Sequence, residues 1–417
     1  MIKDKVVNLI KKSERIFKTD MVYVVKNGSW SAFGQVISIG LSFILSISFA
    51  HFLPKEVYGN YKFILSITSI IGAISLTGIG TAIIQAIAQG KEKVLPDSVK
   101  VSLRWGLIVT AISFAIAVYY FVFDNISISL AMIVFGICSP ITSSYGLYGL
   151  YWVGKKDFQT STLYFIFSQI LNTLVILTAV LLTTNALILV SVGFIFSAVF
   201  SFLSYEYVIK KNHINNVGDD SMISYGKHLS FMNFFGNLAN QLDKILIFHW
   251  IGPVQLAIYS FALVIPEQVR GSYKSIFGIT LPKFSVLSGD KLRKSIIDKI
   301  FRLTAISVVI VIVYAICAPY FFKIFLPKYL SSVIYSQIYM IGLIAIPGIA
   351  LFSTYFQVIK DTKTLYKITI LSNGVTIIYS VILIYYFGLW GAVIENGISW
   401  ITMFIIGAYY FIKNKQE

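Results

Sequence analysis

The chain has 417 residues, of which 57% are hydrophobic and only 12% are charged, and its formal net charge is +16. Soluble domains carry about 25% charged residues, so a water-soluble fold of this length could not hide its apolar surface. The composition therefore predicts an all-α integral membrane protein, because lipid requires each spanning segment to satisfy its own backbone hydrogen bonds.

Apolar runs long enough to cross the hydrocarbon layer, about 20 residues each, occur about twelve times along the chain. In chain order we place these helices at 29–53, 59–89, 101–123, 127–153, 159–182, 187–209, 228–251, 256–281, 300–324, 333–358, 366–387 and 392–412. The predicted organisation begins with a basic interfacial arm at 1–28 and a six-helix bundle at 29–209. A cytoplasmic linker at 210–227 leads to a second six-helix bundle at 228–412 and a cytoplasmic tail at 413–417.

Lysine and arginine are concentrated on one side of these helices. The N-terminal arm alone carries seven of the 34 basic residues, and most of the others fall in the loops on the same side. The positive-inside rule then places both termini in the cytoplasm. A basic surface facing anionic lipid accounts for the net charge, so no nucleic-acid partner is expected.

The sequence predicts no cofactor and no metal site. Its two cysteines, Cys138 and Cys317, lie inside apolar runs, and its four histidines form no cluster with metal-ligand spacing. A glycine-rich phosphate loop followed by Lys and Ser or Thr does not occur, so the chain is not expected to hydrolyse ATP.

The two halves of the chain resemble each other at an offset of about 198 residues. Residues 51–54 read His-Phe-Leu-Pro and are followed by Tyr61, while residues 249–253 read His-Trp-Ile-Gly-Pro and are followed by Tyr259. Transporters are often built from such repeats, with the substrate path between the halves. The repeat therefore favours two bundles around a central cavity.

A polar stripe marks one face of the helix at 228–251. Its members are spaced four, three and four residues apart: Asn233, Asn237, Asn240 and Lys244. The equivalent positions on the helix at 29–53 are largely polar too: Gln35, Ser42 and Ser46. We predict that these side chains bind substrate in a wet cavity. The alternative is that they hydrogen-bond neighbouring helices.

Ionisable residues within the apolar runs are costly and require a partner or water. Glu267 and Arg270 are three residues apart and can pair along one face. Arg270 and Lys274 lie four apart, so an anionic group such as pyrophosphate would relieve their repulsion, and we predict that both bind substrate. Asp243, Glu267 and Glu395 are candidates for binding a coupling proton or sodium ion. Alternatively, Lys274 extends to the interface and Arg270 is neutralised by Glu267 or Asp243.

Short motifs, in the same order and spacing along nearly the whole chain, resemble the Wzx-type polysaccharide flippases. These form the oligosaccharide branch of the multidrug/oligosaccharidyl-lipid/polysaccharide exporter (MOP) superfamily. The motifs are LPKEVYG at 53–59, GIGTA at 78–82, NQLDK at 240–244, FLPKY at 325–329 and GLWGA at 388–392. Asp243 matches the family's characteristic acidic residue, whereas Glu395 stands where the pattern usually has a small residue.

The resemblance implies a MATE-like fold of two six-helix bundles around a central cavity. It also implies export of an undecaprenyl-pyrophosphate-linked oligosaccharide, for O-antigen or another surface polysaccharide. The export would run from the cytoplasmic to the outer leaflet of the bacterial inner membrane, by alternating access driven by an ion gradient. The lipid bilayer and polysaccharide polymerase machinery are the expected partners.

Two other functions stay open at this point. A cation-coupled multidrug exporter of the same fold would favour acidic over basic cavity residues. A membrane glycosyltransferase or polymerase would need a large aqueous loop with paired carboxylates, but the longest outer loop we predict, 325–332, has only a few residues. We therefore expect a transporter rather than an enzyme.

Overall fold

The computed structural model describes residues 21–76, 78–212, 214–273, 289–359 and 361–414; the side chains of 21–28, 31, 220–229, 231–233 and 290 are left out of the description. The described residues form helices joined by short turns, with no strand among them. In the first half the helices are α1 Met21–Phe52, α2 Lys55–Gly72, α3 Ile79–Ala88, α4 Val94–Val122, α5 Ile126–Tyr145, α6 Tyr148–Gly154, α7 Phe158–Leu182 and α8 Ala186–Asn212. In the second half they are α9 Asp220–Trp250, α10 Pro253–Ala262, α11 264–273, α12 Gly289–Phe325, α13 Ser332–Gly342, α14 Ile346–Val358 and α15 Thr362–Lys413.

The helices account for about twelve membrane crossings, as predicted. Among the described residues, 8 spans are long and apolar enough to cross a bilayer on their own. The longest of them, α15, has 52 residues and bends at Gly388, so it supplies two crossings. There φ is 58° and ψ is −131°, a conformation that glycine adopts far more readily than other residues. The broken pairs α2–α3 and α10–α11, together with the more polar α9, supply the others.

The second crossing is broken, although the sequence predicted one helix at 59–89. Helix α2 ends at Gly72 and α3 begins at Ile79. Two side-chain hydrogen bonds support the intervening turn: Ser75 Oγ donates to the Gly72 carbonyl at 2.5 Å, and Gly78 N donates to Ser230 Oγ at 2.9 Å. Such bonds satisfy backbone groups that a break would otherwise expose, which is how irregular backbone survives at membrane depth.

Several helices extend beyond the apolar runs that predicted them. Helices α4, α9 and α12 begin at Val94, Asp220 and Gly289, earlier than expected, and α8 continues to Asn212. Most of the predicted linker at 210–227 is therefore helical. Apolar length measures only the part of a helix inside hydrocarbon, whereas charged residues continue the helix into the headgroup region. The predicted helix at 256–281 is interrupted at Leu263, between α10 and α11. Its residues beyond 273, like arm residues 1–20, lie outside the described residues.

The first half packs through small residues. Helix α4 lies against α5, α5 against α8, and α1 against α7. A Cβ added to Gly106 would lie 2.6 Å from Pro140 Cβ, and one added to Gly136 would lie 3.0 Å from Ser113 Cβ. Thr110 Oγ1 donates to the Gly136 carbonyl at 2.7 Å. Close backbone approach with interhelical hydrogen bonds is the usual way in which helices associate in lipid.

The repeat is confirmed at the helix junctions. Helix α1 ends at Phe52 and α9 ends at Trp250, while α2 begins at Lys55 and α10 begins at Pro253. Both pairs keep the offset of the sequence repeat. The histidine preceding each junction is equivalent too, since its Nδ1 lies 3.0 Å from the carbonyl four residues earlier. We call this end of the molecule (residues 47–63 and 245–262) the histidine end.

The two halves meet tightly at the histidine end. A Cβ built on Gly59 of α2 would overlap the carbonyl oxygen of Pro253 at the start of α10. The rings of Phe63 and Phe248 stack with their centroids 3.6 Å apart. Lys328 Nζ also donates to the carbonyl of the first-half histidine at 2.6 Å. The described conformation is therefore closed at this end.

Polar contacts join the segment between the halves to the loop that follows α3. Lys155 and the backbone N–H of Asn215 both donate to the buried Glu92 carboxylate, the latter at 3.1 Å, and Lys91 Nζ pairs with Asp219 at 2.6 Å. Burial by itself would raise the pKa of Glu92, but these two hydrogen bonds outweigh it and hold the pKa below its usual value. We call this set of five residues the linker clamp.

Candidate functional site

A polar cavity of about 350 Å³ lies inside the second half, among α9, α11, α13, α14 and α15. The bend at Gly388 folds the second arm of α15 beside the first, so both arms contribute to the wall. The polar side chains of the lining are Asn240, Asp243, Lys244, Glu267, Arg270, Tyr339, Ser353, Asn373, Thr376, Glu395, Asn396 and Ser399. Ionisable groups gathered at this depth indicate a functional site.

Two buried carboxylates are connected through one wall of the cavity. Tyr259 Oη donates to Asp243 Oδ2 at 2.5 Å and accepts from Asn396 Nδ2 at 3.1 Å. The same Nδ2 lies 3.1 Å from Glu395 Oε2, and Ser399 Oγ donates to Glu395 Oε1 at 2.9 Å. Asp243 is 6% exposed and Glu395 is 1% exposed. This carboxylate chain therefore links α9, through Tyr259 of α10, to the second arm of α15.

A second cluster surrounds the guanidinium of Arg270. Its Nη1 lies 3.3 Å from Glu267 Oε1, which also accepts a hydrogen bond from Tyr339 Oη at 2.5 Å. The guanidinium carbon lies 5.9 Å from the ring centroid of Trp400, within cation–π range. The Arg270 side chain is 17% exposed, whereas that of Glu267 is 40% exposed. The predicted pairing of Glu267 with Arg270 is thus confirmed.

Lys244 is held by its own helix. Its Nζ donates to the Asn240 carbonyl at 3.3 Å and to Gln241 Oε1 at 3.0 Å. Asn240 Nδ2 in turn donates to the Gly236 carbonyl at 2.6 Å. These bonds satisfy part of the polar stripe within α9 itself, and not through bonds to neighbouring helices, which was the alternative drawn from the sequence.

The cavity collects some of the predicted site residues and leaves out others. Those that line it are Asn240, Asp243, Lys244, Glu267, Arg270 and Glu395. Asn237 lies on α9 outside the lining, and the α1 residues Gln35, Ser42 and Ser46 do not reach it because α1 packs on α7. Ser46 Oγ instead donates to the Ser42 carbonyl at 2.8 Å. Asn233 and Lys274 lie outside the described side chains.

Several lining residues were missed because their side chains count as apolar or unremarkable in a sequence scan. Tyr339 and Trp400 belong to this group, and Tyr259, which lies outside the lining, was missed for the same reason, although each contacts a charged member of the site. Asn396 offered a signal, since it directly follows Glu395. The amphipathic character of tyrosine and tryptophan, an apolar ring with a polar tip, explains why a scan of apolar runs overlooks them.

The fold and the cavity define a multi-pass helical membrane protein with a polar site inside one bundle. Solved structures identify the fold. The chain aligns with an outward-facing multidrug resistance MATE family transporter of the MOP superfamily at 15% identity, over 94% of this chain and 96% of that one, with a TM-score of 0.67. A MATE in the bent conformation aligns at 14% identity over 97% and 98%, with a TM-score of 0.63.

A MOP superfamily transporter from Pyrococcus furiosus, described as having a binding pocket of reverse polarity that suggests a different function, aligns at 14% identity over 94% and 96%, with a TM-score of 0.62. Residues 24–288, more than half of the chain, match the family described as polysaccharide biosynthesis protein, and the chain belongs to that family. No curated protein matches the chain by sequence. The family and the fold both confirm the resemblance found in the sequence motifs.

Proposed function

We propose that the protein is a flippase for an undecaprenyl-pyrophosphate-linked oligosaccharide, moving it from the cytoplasmic to the outer leaflet of a bacterial plasma membrane. Membership of the polysaccharide biosynthesis family supports a glycan-related cargo. The glycan and the pyrophosphate cannot cross hydrocarbon unaided, whereas the lipid tail can stay in the bilayer. Such a cargo needs a polar cleft within a helical bundle.

The observation that carries the proposal is the guanidinium of Arg270 inside the polar cavity. Its carboxylate partner Glu267 is the more exposed of the two. An incoming phosphate can therefore replace Glu267 as the anion paired with the guanidinium, while the Glu267 carboxylate turns toward water. Arginine binds phosphate in a bidentate manner, which gives the exchange its selectivity for an anionic head group. The resting pair keeps the cation neutralised until cargo arrives.

The rest of the lining suits a sugar. Amides and hydroxyls such as Asn373, Thr376 and Ser353 offer both donors and acceptors, and Trp400 presents an apolar ring. A volume of about 350 Å³ lies at the low end of the roughly 300–1,000 Å³ typical of small-ligand sites. The cavity therefore holds only the part of the cargo next to the pyrophosphate.

We assign ion coupling to the carboxylate chain between Asp243 and Glu395. Two buried carboxylates in a medium of low dielectric repel each other, and one proton or sodium ion between them offsets that repulsion. Tyr259, which bridges them, lies on α10, and α10 forms the contact between the halves at the histidine end. Loading of the ion thereby acts on the element that must move during alternating access.

The side from which cargo enters follows from the orientation that the charge bias of the loops predicts. With both termini in the cytoplasm, the histidine end faces outward, and the described conformation is closed to the outside. Cargo then reaches the Arg270 cluster from the cytoplasmic leaflet. Separation of α2 from α10 opens the outer path.

The test is complementation of a strain that lacks its own flippase, with the inner-leaflet lipid-linked repeat unit and the surface glycan both measured. The full chain should restore surface glycan and remove the accumulated intermediate. Arg270→Ala should fail on both counts while inserting normally, and Arg270→Lys should restore only part of the activity because it lacks the fork geometry. Arg104→Ala, which removes an exposed arginine on α4 far from the cavity, is the matched control. Full transport by Arg270→Ala would remove this residue from the site.

One observation favours a second candidate, a cation-coupled multidrug exporter. Among the described lining residues, the carboxylates Asp243, Glu267 and Glu395 outnumber the cations Lys244 and Arg270. An acidic excess suits an organic cation. Efflux of ethidium from cells expressing the chain, reduced by Glu395→Gln, would favour the exporter, whereas glycan rescue without ethidium efflux would favour the flippase.

A further inference from the structure

An apolar groove of about 800 Å³ runs along the outer side of the second half, apart from the polar cavity. It lies between α12, the α13–α14 segment and the second arm of α15. Isoleucine and phenylalanine dominate its walls, and Phe301 is 73% exposed there. Gly397 lies in its floor, where an added Cβ would meet nothing within 4 Å. The volume and the apolar lining of the groove suit a hydrocarbon chain.

One end of the groove is basic. Arg293 and Lys294 precede Ile297 by one turn of α12, so in the helical register they continue the groove-lining face formed by Ile297, Phe301 and their neighbours. The guanidinium carbon of Arg293 lies 4.2 Å from the ring centroid of Phe411, which itself lines the groove. Arg293 Nη1 is buried and has no hydrogen-bond partner among the described residues. A buried guanidinium nitrogen left unsatisfied is costly, and an anion would satisfy it.

The first turns of α12 carry an excess of positive charge. Lys294 lies at the border between the groove-lining face and a shallow hollow on the neighbouring face of the helix. Lys291, Lys299 and Arg302 also line the hollow, where Asp298 is the only described acidic residue. Beyond Arg302 the helix is apolar as far as Lys323. This sequence of charged turns followed by apolar turns matches the boundary between lipid headgroups and acyl chains.

We propose that this groove is a site for an anionic phospholipid of the surrounding leaflet. The phosphate lies between Arg293 and Lys294 and bonds the unpartnered Nη1, while one acyl chain follows the groove past Gly397. A second copy of the chain fits the groove poorly. Two copies inserted in the same membrane share one orientation, so their basic α12 ends would meet at the same depth and repel each other.

The experiment is native mass spectrometry of the full chain, purified in detergent and incubated with equal amounts of phosphatidylglycerol and phosphatidylcholine of identical acyl chains. Phosphatidylglycerol should be retained preferentially. Arg293→Gln combined with Lys294→Gln should lower that preference by about tenfold. Lys291→Gln combined with Arg302→Gln removes the same charge from the neighbouring face and should leave the preference intact. Equal retention of the two lipids, or equal losses in the two double variants, would overturn the proposal.

A second variant tests the groove without touching its charges. Gly397→Leu should fill the groove and release phosphatidylglycerol, whereas Gly374→Leu, which also points into open space on α15, should not. Unchanged thermal unfolding of the double variants shows that they are folded, so the charge test stands even if a leucine variant fails to fold. A dimer peak lost in Gly397→Leu with lipid retention unchanged would assign the groove to a second copy. Displacement of phosphatidylglycerol by stoichiometric undecaprenyl phosphate would assign it to the isoprenoid cargo, and either result refutes a phospholipid site.

Discussion

Replacing Gly59 with alanine should shift the protein away from the conformation that is closed at the histidine end. The added methyl would overlap the carbonyl oxygen of Pro253, well inside the closest approach of 3.0 Å that real Cβ atoms show. That oxygen belongs to the backbone at the start of α10, so no side-chain rotation can relieve the overlap. Relief therefore requires separation of α2 from α10, which is the opening movement in the alternating access proposed above.

Only the closed conformation contains the overlap, so the overlap energy gives the change in the ratio of closed to open protein. Overpacking of a tight interface costs about 1–3 kcal/mol. Alanine also gains about 1 kcal/mol over glycine in helix propensity, but we expect α2 to stay helical when the halves separate, so this gain does not distinguish the two conformations. The closed state should therefore lose about 1–3 kcal/mol relative to the open state, which changes their ratio by roughly 5- to 150-fold.

Distances between two spin labels, measured by double electron–electron resonance, report this ratio directly. Labels at Asp124 and Leu330, both exposed in loops at the histidine end of opposite halves, report the separation in a background from which Cys138 and Cys317 have been removed. The Gly59 variant should show a longer distance population than the parent protein. Gly40→Ala, whose methyl meets nothing within 4 Å, should match the parent. Identical distance distributions for the two alanine variants would refute the account of closure.

Three further predictions concern other parts of the molecule. Glu92→Gln should lower the free energy of unfolding at neutral pH by about 1 kcal/mol, a modest value because the Lys155 side chain is 39% exposed. The pKa of Glu92 is lowered in the folded state, so its carboxylate stabilises the fold only while it is ionised. The difference in stability from the parent protein should therefore vanish as the pH falls below about 4. Asp361→Ala removes the N-cap of α15 and should cost about 1 kcal/mol, seen as faster amide exchange in the first turn of α15 but not in its second arm. Tyr259→Phe removes the donor to Asp243 Oδ2, so that Asp243 keeps only the Lys244 backbone N–H at Oδ1, and it should cost about 1–3 kcal/mol. Transport should lose its dependence on the ion gradient while cargo binding persists, and unchanged coupling would separate the tyrosine from the ion path.

The number of crossings was predictable because hydrocarbon imposes helix length on apolar runs, and the boundary near Gly388 was visible as a gap between two such runs. The pairing of Glu267 with Arg270 was predictable too, since residues three apart share a helix face. The bond from Tyr259 to Asp243 was not, because it joins two helices whose mutual rotation no local pattern fixes. Substrate binding by the polar stripe on α1 was predicted on the assumption that equivalent polar positions in the two halves have the same role. Every described residue that lines the polar cavity belongs to the second half, so the stripe on α1 is not part of this cavity.

That asymmetry has a mechanical consequence. Helix α10 holds Pro253 against Gly59 and stacks Phe261 on Tyr58 of the first half, with ring centroids 4.4 Å apart. Two residues before Phe261, the same short helix bonds Asp243 through Tyr259. A change of charge at Asp243 is therefore transmitted within one helical turn to the surface on which the halves close. The effects of the Gly59 and Tyr259 substitutions on spin distance should therefore be non-additive, because contacts on one rigid element couple whereas independent sites add; additive effects would refute this link.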